Sequence, residues 1–190
     1  MKIIPFNELD NADIVIDAVY EGGNSGNVGD DPISKLIPGI GNMGGFRYSG
    51  HGKKKTAIVL YTSGEEGDWP DLLDMSKGQF VYYGDNRTPG HEIHETKRKG
   101  NLLLKYIFDS LHDPKSPRSS IPPIFVFTKC PTKSSNRSVQ FKGLAVPGYP
   151  GVPATNDLVA VWKTTNGQRF QNYRAIYPIL DISKIKREWA

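Results

Sequence analysis

One stretch of the chain, residues 64–87, combines aromatic rings and carboxylates at spacings that could do chemistry. One tryptophan and two acids precede a short apolar run that ends in two tyrosines, and a Gly-Asp-Asn-Arg turn follows at once. Flat rings can stack on a nucleobase that has left the DNA helix, and carboxylates can accept hydrogen bonds from its exocyclic amine. The candidates for such a base pocket are Trp69, Asp71, Asp74, Tyr82, Tyr83 and Asp85.

A second interpretation of the same stretch needs no ligand. Aspartate is common in turns, and tryptophan and tyrosine are often buried in protein cores. The stretch is then a solvated acidic turn beside a tyrosine-rich core strand. The two interpretations differ in whether the rings line a cleft or only the interior.

The composition indicates one globular domain that spans residues 1–190. The chain is 37% hydrophobic and 23% charged, which is enough apolar content for one core. No apolar run approaches the roughly 20 residues of a membrane span and no secretion signal is seen, so we expect a cytoplasmic protein. The single cysteine, Cys130, excludes an internal disulfide and a cysteine-cluster zinc site, and we predict neither a metal nor a cofactor.

Basic residues are grouped along the chain. The net charge is only +4, but many of the 24 Lys and Arg lie in five clusters, at residues 53–55, 97–99, 115–118, 129–137 and 184–187. Basic loops around an apolar scaffold are expected when the partner is a polyanion such as DNA, although a solvated surface gives the same pattern.

Apolar patterns predict many strands and few helices. Leucines and other apolar residues recur at helical spacing over residues 101–112, and a short basic helix is predicted over residues 182–189. Strands are predicted at residues 12–20, 56–62, 79–83, 124–128, 139–146, 158–163 and 169–180. This set favours an α+β fold with a strongly curved, mostly antiparallel sheet and one or two helices against it.

A long glycine-rich segment, residues 22–52, follows the first predicted strand. Long ordered loops in compact domains usually serve function, and the glycines of the sequence GNMGGFR would let the backbone approach a ligand closely. Asn42 or Met43 could then project as a probing tip. A mobile surface loop is the alternative.

Four blocks of the sequence resemble the N-terminal DNA-reading domain of AspBHI-type restriction endonucleases, an SRA-like domain whose relatives include the MspJI enzymes. The blocks are YEGGNSGNVGDDPISKLIPGIGNMGGFR, YTSGEEGDWPDLLDMSKGQFVYYGDNRTPGHEIHETKRKGN, FKGLAVPG and RFQNYRAIYPIL, and they span nearly the whole chain. The resemblance implies a barrel-like, curved sheet that grips double-stranded DNA and flips a 5-methylcytosine into a pocket. It also implies a prokaryotic restriction system in which a separate nuclease domain makes the cut, so that this chain is non-catalytic.

The resemblance assigns roles within the pocket. In the wider SRA family an aromatic residue and an aspartate precede a G-x-F-x-Y strand, and Gly78, Phe80 and Tyr82 resemble that strand. Tyr82 would stack on the flipped base and Trp69 would form the opposite wall. Asp71 would accept a hydrogen bond from the cytosine N4 amine.

Two departures from that pattern leave alternatives open. The interval between Trp69 and the strand is longer than in the wider family, so Asp74 also fits the role of Asp71. Tyr83 stands where that family has a small hydroxyl residue, so it also fits the role of Tyr82. In either arrangement a carboxylate favours cytosine, which donates from N4, and repels thymine, which presents a carbonyl there. The extra methyl group contributes at most about 1 kcal/mol, so methyl discrimination is modest.

The resemblance also implies loops that enter the DNA grooves and fill the space left by the flipped base. The candidates are Asn42 and Met43 in the early loop and residues 134–137 in the later one. Phosphate contacts are expected from basic side chains, and base edges can be read by amide or guanidinium groups. The resulting set of DNA contacts is Asn42, Met43, Arg47, Arg87, Lys129, Lys133, Ser135, Asn136 and Arg137.

Other function classes compete with this prediction. Asp71, Glu95 and Lys97 fit the loose PD…ExK pattern of nucleases in which acids hold Mg²⁺, although the ExK acid usually lies on a buried strand and these flanks are polar. His91 and His94 lack further ligands at metal-binding spacing. A reader of a different DNA modification and a protein-interaction module with an aromatic surface are the remaining alternatives.

Overall fold

The computed structural model of the protein describes residues 1–52, 54–180 and 182–189, apart from the side chain of Trp189. Lys53, which belongs to a predicted basic cluster, lies outside the described residues, as do Asp181 and Ala190. The chain forms two compact units. The first consists of Met1–Gly64, Pro123–Leu144 and Leu180–Ala190, and the second consists of Glu65–Pro122 and Ala145–Ile179.

Strands dominate the described residues. They are β1 Ile3–Ile4, β2 Ile14–Val15, β3 Val19–Tyr20, β4 Phe46–His51, β5 Lys54–Thr62, β6 Leu72–Asp74, β7 Gln79–Tyr83, β8 Ile124–Lys129, β9 Val139–Ala145, β10 Leu158–Thr165, β11 Gln168–Leu180 and β12 Lys184–Ile185. The α-helices are α1 Pro32–Leu36, α2 Gly100–His112 and α3 Ala154–Asp157. Short 3-10 helices lie at Phe6–Asn11, Val28–Asp30, Arg118–Ser120 and Arg187–Trp189.

The first unit is a mixed sheet with a predominantly aliphatic and aromatic core. Strand β5 pairs antiparallel with β4 and parallel with β8, β9 follows β8, and β3 joins β9 to the short strand β1. Strands β5 and β8 read as nearly continuous apolar runs because both of their faces are covered. The largest side chains of this core include Leu9, Tyr20, Phe125, Phe127 and Phe141.

The second unit is antiparallel in the order β6, β7, β11, β10. Burial alternates along β7 because one face packs on the core and the other is more open to solvent. Phe80 and Tyr82 lie on the buried face of β7, opposite Tyr177 and Ala175 of β11. Helix α2 covers this face, with the ring of Phe108 at 5.6 Å from that of Tyr177.

Most sequence predictions of the elements are confirmed. The predicted helix at 101–112 is α2, and the predicted strands from residue 56 onwards are present within two residues at each end. The fold is α+β with a mixed, mostly antiparallel arrangement of strands and few helices. The predicted barrel-like closure is not seen: within the described residues β4 is an edge in the first unit, and β6 and β10 are edges in the second.

Two predicted elements are wrong. The single strand at 12–20 is broken into β2 and β3 because Asp17 adopts a left-handed conformation with φ 59°. The helix at 182–189 is replaced by strand β12 and a 3-10 turn, since Ile185 is buried opposite Ile14 of β2. None of the described helices combines the length and the apolar composition that crossing a membrane requires.

Candidate functional site

The hairpin of β6 and β7 separates the two candidate carboxylates. Leu73 pairs with Phe80 and Asp74 pairs with Gln79, so Asp74 stands at the turn of the hairpin. Its carboxylate accepts hydrogen bonds from Ser76 Oγ at 2.6 Å and from the Lys77 amide at 3.2 Å. The bond from Ser76 keeps the pKa of Asp74 below its usual range. Asp74 is thus used in the turn, at the opposite end of β7 from Tyr83.

Asp71 lies at the other end of the hairpin, where it forms a buried ion pair with Arg87. Its carboxylate oxygens lie 3.2 and 3.3 Å from Arg87 Nη2, and one of them accepts a hydrogen bond from the Tyr83 amide at 2.8 Å. The Asp71 side chain is 0% exposed and the Arg87 side chain 28%. Burial raises the pKa of Asp71, while Arg87 and the Tyr83 amide oppose that rise.

Aromatic rings lie beside Arg87 of this ion pair. The buried indole of Trp69 donates its Nε1–H to the carbonyl of Arg87 at 3.1 Å. Its ring centroid lies 5.5 Å from Tyr83 and 5.8 Å from Phe170, and Lys163 Nζ stands 4.6 Å from the ring. Of the two candidate tyrosines, Tyr83 is therefore the one whose ring contacts Trp69.

Tyr82 points the other way from Tyr83, into the core of the second unit. Its side chain is 1% exposed and its ring lies 5.7 Å from Phe80. The guanidinium carbon of Arg87 lies 5.5 Å from the Tyr82 ring. Burial raises the pKa of Tyr82, so its hydroxyl stays protonated. The structure thus brings Trp69 and Tyr82 close to the same ion pair, but both rings are buried, and Trp69 packs on Tyr83, which points to the other face of β7.

Asp85 serves the start of helix α2. Its carboxylate accepts hydrogen bonds from the amides of Gly100 and Asn101, both at 2.9 Å, and from Thr96 Oγ1 at 2.7 Å. Unpaired amides at a helix start need such acceptors, and a carboxylate also suits the positive end of the helix dipole. Asp85 therefore fixes the turn that carries Arg87.

A buried network of asparagines supports the same turn, and the sequence analysis missed it. Asn172 Oδ1 accepts from Asn101 Nδ2 at 2.9 Å, and Asn172 Nδ2 donates to the carbonyl of Gly84 at 3.0 Å. Asn86 Nδ2 donates to the carbonyl of Gln171 at 2.8 Å. The available signal was the presence of amides inside an apolar strand and at the first turn of an apolar helix, which suggests buried hydrogen-bonding roles.

In the first unit, Arg47 holds the loop that contains Asn42 and Met43. Its side chain is 6% exposed and pairs with Asp31 at 2.9 Å. It also donates to the carbonyls of Gly44 at 2.8 Å and Gly41 at 3.1 Å. Arg47 is therefore used inside the protein, while Met43 is 51% exposed at the tip of the loop.

The second predicted DNA loop, residues 129–138, is also fixed from within. Ser135 is buried, and its hydroxyl donates to the carbonyl of Gly23 at 2.9 Å and accepts from the amide of Arg137 at 3.1 Å. Arg137 Nη1 donates to the carbonyl of Asn27 at 3.0 Å. Lys129 is half-buried, whereas Lys133, Asn136 and Arg137 are exposed at the end of this loop.

The three residues of the nuclease alternative do not line one cleft. Glu95 lines a cleft of about 600 Å³ together with Gly90, His91, Glu92, Gln168, Arg169 and Phe170. Asp71 is not among those residues, and Lys97 is exposed. His94 is hydrogen-bonded to the hydroxyl of Tyr173 at 2.7 Å. In residues 1–52, 54–180 and 182–189, no three His, Cys, Asp or Glu side chains are grouped as metal ligands.

The chain is similar to known DNA-reading proteins in sequence and in fold. Residues 14–190 match the family described as restriction endonuclease AspBHI N-terminal. The DNA recognition domain of the cytosine modification-dependent restriction endonuclease LpnPI is 67% identical, with a TM-score of 0.96 over 100% of this chain and 83% of that one. No curated protein matches the chain.

Two further solved structures are longer than this chain. The DNA modification-dependent restriction endonuclease AspBHI is 47% identical with a TM-score of 0.88, and the match covers 99% of this chain and 47% of that one. The MspJI restriction endonuclease, solved with a 27-mer oligonucleotide, is 18% identical with a TM-score of 0.59 over 88% of this chain and 42% of that one. The MspJI comparison is a likeness of fold alone.

Proposed function

Because the chain belongs to the AspBHI N-terminal family of restriction endonucleases, we propose that it is a DNA recognition domain that reads modified cytosine in double-stranded DNA. The observation that carries this proposal is the 67% identity to the LpnPI DNA recognition domain over the whole chain. At that identity the chains share the fold in detail and have the same kind of side chain at most positions.

The base is read in a pocket formed around the Asp71–Arg87 pair, after it has been flipped out of the duplex. Asp71 is the acceptor for the N4 amine, because it is paired with Arg87, which lies beside the rings of Trp69 and Tyr82, while the carboxylate of Asp74 is used in the hairpin turn. Trp69 and Tyr83, whose rings lie 5.5 Å apart, are the stacking walls, while the alternative wall, Tyr82, is packed in the core on the other face of β7. Flipping costs a few kcal/mol, which stacking and hydrogen bonds inside the pocket offset.

One ring has to move before a base can enter, since Trp69 is buried and its ring lies 5.5 Å from that of Tyr83. Tyr83 is fixed in strand β7, whereas Trp69 lies in the segment that precedes β6. We therefore assign the movement to Trp69, which exchanges its contact with Tyr83 for a contact with the base.

Two loops of the first unit contact the DNA. Met43 and Asn42 enter a groove, and the loop of residues 129–138 contacts phosphates through Lys133 and Arg137 and base edges through Asn136. The buried anchors Arg47 and Ser135 support this assignment, because loops that are fixed before binding lose less conformational entropy when they bind.

We assign residues 1–190 to one SRA-like DNA-binding domain. The cut is made by a nuclease domain, fused or associated, since neither the pocket nor the loops offer a cleavage mechanism. As part of a restriction system, the protein works in the cytoplasm of a prokaryote.

The test is a fluorescence-anisotropy titration with duplexes that differ only at one cytosine, which is unmodified, 5-methylated or 5-hydroxymethylated. Tighter binding of a modified duplex supports the proposal, and equal binding of all three contradicts it. The same samples are incubated with Mg²⁺ and the products separated on a gel. Cutting by this chain alone would support the nuclease alternative of Asp71, Glu95 and Lys97.

A further inference from the structure

Arg87 is held in place by the backbone of its own turn. Its Nε donates to the carbonyl of Gly84 at 3.1 Å and its Nη2 donates to the carbonyl of Tyr83 at 2.7 Å. The same Nη2 reaches both carboxylate oxygens of Asp71. The guanidinium group is thus positioned independently of Asp71, and its charge is presented to the buried carboxylate.

Burial favours the neutral form of Asp71, and the negative charge of Glu66 acts in the same direction. The positive charge of Arg87 and the hydrogen bond from the Tyr83 amide favour the ionised form. Asp71 and Asp85 act in turn on the hydroxyl of Tyr82, which stays protonated. A fully buried carboxylate without its cation takes up a proton rather than remain charged. The ionised state of Asp71 therefore depends on Arg87.

The protonation state of Asp71 decides which base the pocket accepts. 5-Methylcytosine and thymine carry the same methyl group at C5, and they differ at position 4, where one has an amine and the other a carbonyl. An ionised carboxylate only accepts hydrogen bonds, so it fits the amine and repels the carbonyl. A protonated carboxyl group can donate a hydrogen bond, so it can bind the carbonyl of thymine.

We propose that Arg87 is a positioning residue that determines specificity: it keeps Asp71 ionised, and thereby makes the pocket accept 5-methylcytosine and reject thymine. This inference rests on the proposed function. It assigns the discrimination between two methylated pyrimidines to a residue that need not touch either base.

The test compares three duplexes that are identical except for 5-methylcytosine, cytosine or thymine opposite one guanine. Their dissociation constants are measured from about pH 6 to about pH 9 for the wild type and for Arg87→Gln, which keeps a donor and loses the charge. We expect the wild type to prefer 5-methylcytosine to thymine at neutral pH. In Arg87→Gln we expect the preference to be lost at neutral pH and to return at higher pH. Below the pKa of Asp71 in this variant, the ratio of the two dissociation constants should rise by up to about tenfold for each pH unit.

Controls separate charge from structure. Asp71→Asn removes the group that titrates, so in that background Arg87→Gln should leave the pH profile of the preference flat. Arg87→Lys restores a cation and should restore the preference at neutral pH. If Arg87→Gln shows no cooperative unfolding transition and is therefore not folded, the binding measurements on Arg87→Lys test the inference in its place.

The outcomes for Arg87 and for the proposed function are distinct. A preference that Arg87→Gln lowers equally at every pH, or leaves unchanged, would overturn the inference, as would its loss in Arg87→Lys at every pH. If the wild type itself binds all three duplexes equally, the proposed function fails as well.

Discussion

Replacement of Gly84 by alanine is expected to disrupt the asparagine network beneath the candidate pocket. A Cβ at this position would lie 1.7 Å from Asn101 Oδ1 and 2.8 Å from Asn172 Oδ1, and both amides are completely buried. Overpacking costs about 1–3 kcal/mol, and the two hydrogen bonds of Asn101 that must break, to Asn172 and to the Asp85 amide, cost about 1 kcal/mol each. We therefore expect a loss of about 3–5 kcal/mol in the free energy of unfolding.

The assay is denaturant-induced unfolding, followed by circular dichroism, of the wild type, Gly84→Ala and two further variants. Gly67→Ala is the matched control in the same unit, since a Cβ there meets no atom within 4 Å and its φ is not left-handed. The double variant Gly84→Ala/Asn101→Ala removes the obstructing amide and should cost less than the sum of the two single changes. A loss below about 1 kcal/mol for Gly84→Ala, or strict additivity in the double variant, would refute the reasoning.

Three further predictions concern charge. The double variant Lys133→Gln/Arg137→Gln should reduce the slope of log affinity against log salt by about 1.8, equally for modified and unmodified duplexes, because each phosphate contact contributes about 0.9; an unchanged slope would remove these residues from the interface. Burial raises the pKa of Asp71 in the folded protein above its value in the unfolded chain. The free energy of unfolding of the wild type should therefore fall, relative to that of Asp71→Asn, as the pH rises from the unfolded-state pKa through the folded-state pKa of this aspartate. A difference in stability between the two proteins that is constant from about pH 3 to about pH 8 would contradict this. Asp85→Ala should cost about 2 kcal/mol and speed amide hydrogen exchange in the first turn of α2, and unchanged exchange there would show that the cap is dispensable.

The elements that sequence patterns predicted correctly are those whose signals are local. Helix α2 has its apolar residues at helical spacing, and residues 57–61 of β5 and 124–127 of β8 are unbroken apolar runs. The segment at 182–189 failed because its structure is decided by a strand 170 residues earlier in the chain: Ile185 is buried by pairing with Ile14. Helical propensity is a weak preference that such tertiary contacts override.

The candidate site was predicted as a list of residue types, and the structure distinguishes their roles. The sequence does not distinguish the three aspartates by residue type. In the structure Asp71 is paired with Arg87, Asp74 closes a hairpin turn and Asp85 caps a helix. The cap lies 15 positions before the helix amide that it binds, which is beyond the local capping signal of a sequence. The partners that give each carboxylate its role could therefore not be read from spacing.

Two arginine–aspartate pairs among the described residues differ in exposure and in surroundings. In the pair of Arg47 and Asp31 both side chains are 6% exposed, and Asp31 also accepts the amide of Ser34 at the start of α1. In the pair of Arg87 and Asp71 the cation is 28% exposed and aromatic rings that can stack on a base lie beside it. Buried ion pairs are seldom the most stabilising use of a position, which is consistent with the proposed role of the pair of Arg87 and Asp71 in recognition.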